Sequence, residues 1–225
     1  MLPLSRADIH GGGIITPLER INHEFGDGFE FLKKYPKSVS IFGSSVLPSR
    51  EPAYAKAEEL GGRIVRDLKY AVITGGGPGI MEAANKGAFD AGGVSLGMNE
   101  SLPHERFINA YVTHSIKFSY FFSRKVMLMF AAEAYVFFPG GFGTFDELFG
   151  VLTLIQTNKI PRVPVLLVDS AYWNPLKAFL EKTMEETYHT ISKKDFNLFE
   201  ITDSVDHVIE TIKSAPISEW WRNIN

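Results

Sequence analysis

Residues 134–159 read AYVFFPGGFGTFDELFGVLTLIQTNK, and this stretch decides the fold. It opens on an apolar run, residues 134–138, short and rich enough in aromatic and β-branched side chains to predict a buried strand. Pro139 ends the pairing because its ring removes the backbone donor. Gly140, Gly141 and Gly143 follow, and glycine lets a backbone approach a ligand closely. The spacing of Phe145, Leu148, Phe149, Leu152 and Ile155 is helical, with Thr144 as the expected N-cap. Strand, glycine turn and helix in that order aim unpaired N–H groups and the positive helix end at the space above the strand. Such a place holds an anion, most often phosphate.

Glu147 stands three residues after Thr144. Two readings of it are open on local sequence. It closes a capping box with Thr144, or it is a catalytic carboxylate at the mouth of the turn.

Working outward, the same alternation recurs. Strands are predicted at 39–42, 70–74, 94–98, 111–114, 165–168 and 196–201. Helices are predicted at 53–68, 80–91, 118–132, 176–186 and 204–212. Strands alternating with helices of this length imply parallel pairing and right-handed crossovers. The expected fold is therefore α/β, a Rossmann-like doubly wound parallel sheet with helices on both faces, as a single domain over residues 38–225. Residues 1–37 are expected to form an N-terminal arm, with a helix at 18–35 that Gly26 and Gly28 make less regular. The Gly11-Gly12-Gly13 run suggests a mobile start, and Trp220-Trp221 an interface anchor or packing onto the core.

Composition narrows the partners. Of 225 residues, 45% are hydrophobic and 22% charged, the profile of a soluble globular chain. A formal net charge of -3 argues against a broad nucleic-acid surface. With no cysteine there is no disulfide, thiol nucleophile or thiolate metal site. The histidines show no metal-binding spacing, and no G-x-S-x-G elbow surrounds Ser44 and Ser45. No secretory leader or membrane span is expected, and the expected address is cytoplasmic.

In a doubly wound sheet, ligands sit beyond the carboxyl ends of the strands. The topology sends GGGPG at residues 75–79 to that edge together with the 140–144 turn. Arg124, early in its helix, and Glu147 are expected there too. The first turn satisfies neither the dinucleotide fingerprint nor the P-loop pattern. Arg124 and Lys125 also fit a solvated helix stripe, and Glu82 a dipole-favoured surface acid.

PGGFGTFDE (residues 139–147) resembles the P-G-G-x-G-T-x-x-E signature of the LONELY GUY family of cytokinin-activating phosphoribohydrolases. SRKVM (123–127) is similar to that family's arginine-lysine motif, and GGGPGIMEAANKGA (75–88) to its first glycine turn. The likeness spans about residues 38–173 and is nearer to the longer bacterial form. It implies a homodimer with its site near the subunit interface, and hydrolysis of the N-glycosidic bond of a purine nucleoside 5′-monophosphate. Carried over by motif, Arg124 and Glu147 form the catalytic pair. Gly140, Gly141, Gly143 and Thr144 hold the phosphate, with Gly76 and Gly77 assisting. No metal or organic cofactor is implied, nor any nucleic-acid or membrane partner. The competing reading is a nucleotide-binding sensor that uses the same crevice without turnover.

Overall fold

The computed structural model describes residues 15–100, 108–130 and 132–218. The Gly11-Gly12-Gly13 run and Trp220-Trp221 lie outside the described residues. Helix α1 (Ile15–Lys33) leads into β1 (Ser38–Phe42), α2 (Pro52–Arg63), β2 (Ala71–Thr74), α3 (Ile80–Asp90) and β3 (Ser95–Glu100). There follow β4 (His114–Phe118), α4 (Phe121–Phe130), β5 (Ala134–Phe137), α5 (Phe142–Gln156), β6 (Val165–Val168), α6 (Ser170–Phe179), β7 (Glu200–Thr202) and α7 (Val205–Ser214). The strands form one seven-stranded sheet in the order β4-β3-β2-β1-β5-β6-β7, every pair parallel. The winding reverses between β1 and β5. This is the doubly wound α/β fold expected from the alternation.

The central strands β1, β2, β5 and β6 are buried along their whole length, as parallel strands covered on both faces must be. One core joins Ile73, Met98 and Phe137 to Leu32 of α1, Met127 of α4, Leu148 of α5 and Trp173 of α6. The other joins Val39, Val72 and Val136 to Leu60 of α2, Ile80 and Ala84 of α3, and Val208 of α7. Register and packing agree: Phe42 and Phe137, paired across β1 and β5, stack with ring centroids 4.8 Å apart.

The edges depart from expectation. The strand predicted at 111–114 lies instead at His114–Phe118, so Phe118 belongs to β4 and the helix after it starts at Phe121. The strand predicted at 196–201 shrinks to Glu200–Thr202 behind a 3₁₀ turn at Lys193–Leu198. Both are edge strands with exposed residues, so no continuous apolar run marks them. The helix predicted from residue 176 begins at Ser170, capped by the Asp169 side chain and anchored by fully buried Trp173. Among the described residues no helix is long and apolar enough to cross a membrane.

Helices α2 and α3 cross at backbone contact. A Cβ on Gly61 would collide with the Ala84 carbonyl oxygen, and one on Gly87 with the Glu58 carbonyl oxygen. A Gly87→Ala variant therefore forces the helices apart. Urea unfolding is expected to show a loss of about 1–3 kcal/mol, whereas Gly26→Ala, where a Cβ meets nothing within 4 Å, should lose no stability.

Candidate functional site

The crevice lies at the carboxyl ends of β2, β1 and β5. Beyond β2 the chain turns through residues 75–79, with Gly76 at φ +74 and Gly79 at φ +70. Gly79 also passes so close to the Ser44 carbonyl that a Cβ there would collide with it. The turn is held from below by buried amides. The Thr74 hydroxyl donates to Asn85 Oδ1 at 2.6 Å and accepts from the Gly76 N–H at 2.9 Å. Asn109 Nδ2 donates to the same Asn85 oxygen at 2.9 Å and to the Gly77 carbonyl at 3.0 Å. Asn85 Nδ2 donates in turn to Ser95 Oγ at 2.8 Å. Asn99 packs beneath Gly76, its buried Oδ1 without a hydrogen bond among the described residues. Sequence reasoning missed this network. Its signal was Asn85, a polar residue on the apolar stripe of Ile80, Ala84 and Ala88.

The second turn is tied to the first through Ser44. The Ser44 N–H donates to the Pro139 carbonyl at 2.9 Å, and the Ser44 carbonyl accepts from the Ile80 N–H at 3.0 Å. The Tyr172 hydroxyl donates to the Gly140 carbonyl at 2.5 Å. Helix α5 begins three residues earlier than expected, at Phe142 with Gly141 as N-cap and no side-chain cap. Thr144 is thus inside the first turn rather than at the cap. It is buried, with its side chain packed on Gly140. The capping box with Glu147 does not form, because Glu147 lies a full turn further on.

Helices α3 and α5 both start on glycine with no side-chain cap, at Gly79 and Gly141. Helices α6 and α7 are closed by Asp169 and Ser204. A Cβ on Gly141 or Gly143 would meet no atom within 4 Å. The two positive helix ends nearest the switch point therefore remain open to an anion.

Arg124 and Glu147 face this space from α4 and α5. Arg124 Nε donates to the Met98 carbonyl at 2.7 Å, and the guanidinium lies against Gly75. Burial lowers the Arg124 pKa, and the charges of Glu147 and Glu100 oppose that shift. Their neighbours Lys125 and Asp146 close an ion pair at 2.5 Å. Glu147 makes no hydrogen bond or ion pair among the described residues. Burial pushes its pKa from 4.5 to about 7, assisted by Asp146 and opposed by Arg124 and Lys125. Glu82 is not part of this group. It faces Tyr54 of α2, whose phenol pKa is raised by burial first and by the Glu82 charge second.

A family model described as "Possible lysine decarboxylase" matches residues 81–212, more than half of the chain. A cytokinin riboside 5′-monophosphate phosphoribohydrolase of Rhodococcoides fascians is 29% identical over 69% of this chain and 79% of its own. An Arabidopsis thaliana protein of the same name is 30% identical over 68% and 70%. The chain belongs to the LONELY GUY family.

Solved structures agree on the fold of this LONELY GUY chain. One from structural genomics superposes with TM-score 0.59 at 23% identity, covering 80% of this chain and 99% of its own. The molybdenum cofactor binding protein of Rippkaea orientalis gives 0.56 at 22%, covering 79% and 94%.

Glu147 links the site to stability. The folded state holds the Glu147 proton more tightly than the unfolded chain does, so its contribution is fully present below about pH 4.5 and lost as pH rises through about 7. Glu147→Gln, neutral throughout, is expected to match the natural chain near pH 5 and exceed it at pH 8 by on the order of 1–2 kcal/mol in urea unfolding.

Proposed function

We propose that the protein hydrolyses the N-glycosidic bond of a purine nucleoside 5′-monophosphate, AMP or an N6-substituted cytokinin nucleotide, to free base and ribose 5-phosphate. The observation that carries this reading is Glu147. It is a carboxylate whose pKa burial raises to about 7 against the opposing charge of Arg124, in the second turn of a helix that starts uncapped on glycine. The curated relatives' printed names support the same chemistry.

The phosphate binds the N–H groups at the start of α5, with the residue 75–79 turn closing the other side. Gly141 and Gly143 leave the room it needs, and Thr144 adds its hydroxyl. Gly76, whose N–H is already donated to Thr74, shapes the turn, and Gly77 offers backbone to the ligand. These contacts position the ribose, and their binding energy is realised at the sugar. As the C1′–N9 bond lengthens, C1′ takes on oxocarbenium character, and ionised Glu147 stabilises that charge. It also accepts the proton of the water whose oxygen bonds to C1′. That proton balances the one the departing base acquires. Arg124 stays protonated and orients the ribose and Glu147.

Chromatography of AMP and N6-isopentenyl-AMP reactions tests the proposal. Glu147→Gln is expected to lose base release by about a hundredfold or more while still binding nucleotide. In the natural chain kcat/KM should fall below about pH 7, where Glu147 is protonated. Full activity in Glu147→Gln would sink the assignment. Binding with no release from the intact protein would favour the sensor.

We further propose that the protein works as a homodimer through the aromatic surface beside the crevice. Phe142 is 97% exposed, and Phe121 and Phe122 on α4 and Phe149 on α5 are also exposed, large apolar side chains of the kind that interfaces cover. Sedimentation velocity should give a dimer for the natural chain and a monomer for Phe142→Asp; a monomeric natural chain would overturn it.

A further inference from the structure

Helix α1 runs along α4, the helix that carries Arg124. Gly28 sits where a Cβ would lie 2.6 Å from Met127 Sδ, which explains a glycine inside this helix. Phe29 meets Phe130 edge to face at 5.8 Å, and Leu32 is buried in the shared core. At the other end of the contact is Glu24. Its carboxylate accepts from the Ser119 N–H at 2.6 Å, from the Tyr120 N–H at 3.3 Å, and from the Ser123 hydroxyl. Ser119 and Tyr120 immediately precede α4 and Ser123 lies in its first turn, so Glu24 clamps the entry of the helix from about a hundred residues upstream. Its negative charge also suits the positive end of the helix.

The clamped turn is the one that sets Arg124. The Arg124 N–H donates to the Tyr120 carbonyl at 3.2 Å, and Ser123 adjoins Arg124, its one hydroxyl proton shared between Glu24 and the Tyr120 carbonyl 2.8 Å away. The side chain then spans to the Met98 carbonyl and Gly75. A small rotation of the first turn of α4 breaks that reach.

We propose that Glu24 is a positioning residue for the hydrolysis, locking the first turn of α4 so that Arg124 is held against the Met98 carbonyl and Gly75, which makes the N-terminal helix a working part of the site. The inference rests on the functional reading above. Three charged groups and burial set the Glu147 pKa: burial and Asp146 on its own helix raise it, while Arg124 and Lys125 from α4 lower it. Loosening Arg124 therefore moves the acidic limb of the rate profile to higher pH.

The experiment uses the full chain with AMP and N6-isopentenyl-AMP as probes, comparing Glu24→Ala, Glu24→Gln and Arg124→Ala. In Glu24→Ala, kcat per folded molecule is expected to fall about ten- to hundredfold with KM changed less than about threefold, because the phosphate contacts lie on other helices. Its acidic limb should rise by about half a pH unit. Glu24→Gln, which keeps an acceptor oxygen, should recover most of the turnover, and it serves as the test if Glu24→Ala does not fold. A lower melting temperature with unchanged kcat and an unmoved pH limb in both Glu24 variants, while Arg124→Ala is inactive, would overturn this inference alone. Full turnover in Arg124→Ala would instead remove the functional reading beneath it.

Discussion

A parallel sheet with right-handed connections delivers every strand's carboxyl end, and every following helix's amino end, to one edge. The rest of this molecule depends on that constraint. Where the winding reverses, between β1 and β5, no helix crosses over the strand ends, and backbone from both halves is left to line a crevice. Ser44 bonds to both sides of it, donating to Pro139 and accepting from Ile80. Its two backbone bonds hold the glycine turns in one frame.

The electrostatics follow from the same placement. Arg124-Lys125 on α4 and Asp146-Glu147 on α5 present two basic and two acidic groups in adjacent positions. The outer pair closes as a surface ion pair, of the kind that contributes little to stability. The inner pair stays open. Arg124 is tethered to the Met98 carbonyl, and burial raises the Glu147 pKa more than the charge of Arg124 lowers it. Such unrelieved tension between burial and charge marks functional groups more often than structural ones.

Much of this was legible in the chain. The 140–147 stretch announced strand, turn and helix, and the buried central strands carried continuous apolar runs. The polar edge strands β4 and β7 did not, because half-exposed residues carry no such run. Thr144 misled for a different reason. A threonine after glycines has the chemistry of an N-cap, but Gly141 already has the extended backbone that a cap requires, so the helix begins sooner. That shift of three residues removed the capping box, and Glu147 has no hydrogen bond or ion pair among the described residues.

The sequence by itself determined the alternation of elements, the two glycine turns, and the presence of Arg124 and Glu147 at one edge, since periodicity and glycine chemistry are local properties. Tertiary structure alone decided the remainder. The Thr74-Asn85-Asn109 network joins side chains from β2, α3 and the segment before β4, and Glu24 clamps a helix that begins almost a hundred residues later. Asn85, polar on an apolar stripe, is the one local hint of the first and nothing local signals the second, because each is a hydrogen bond between groups that only the folded sheet brings within reach.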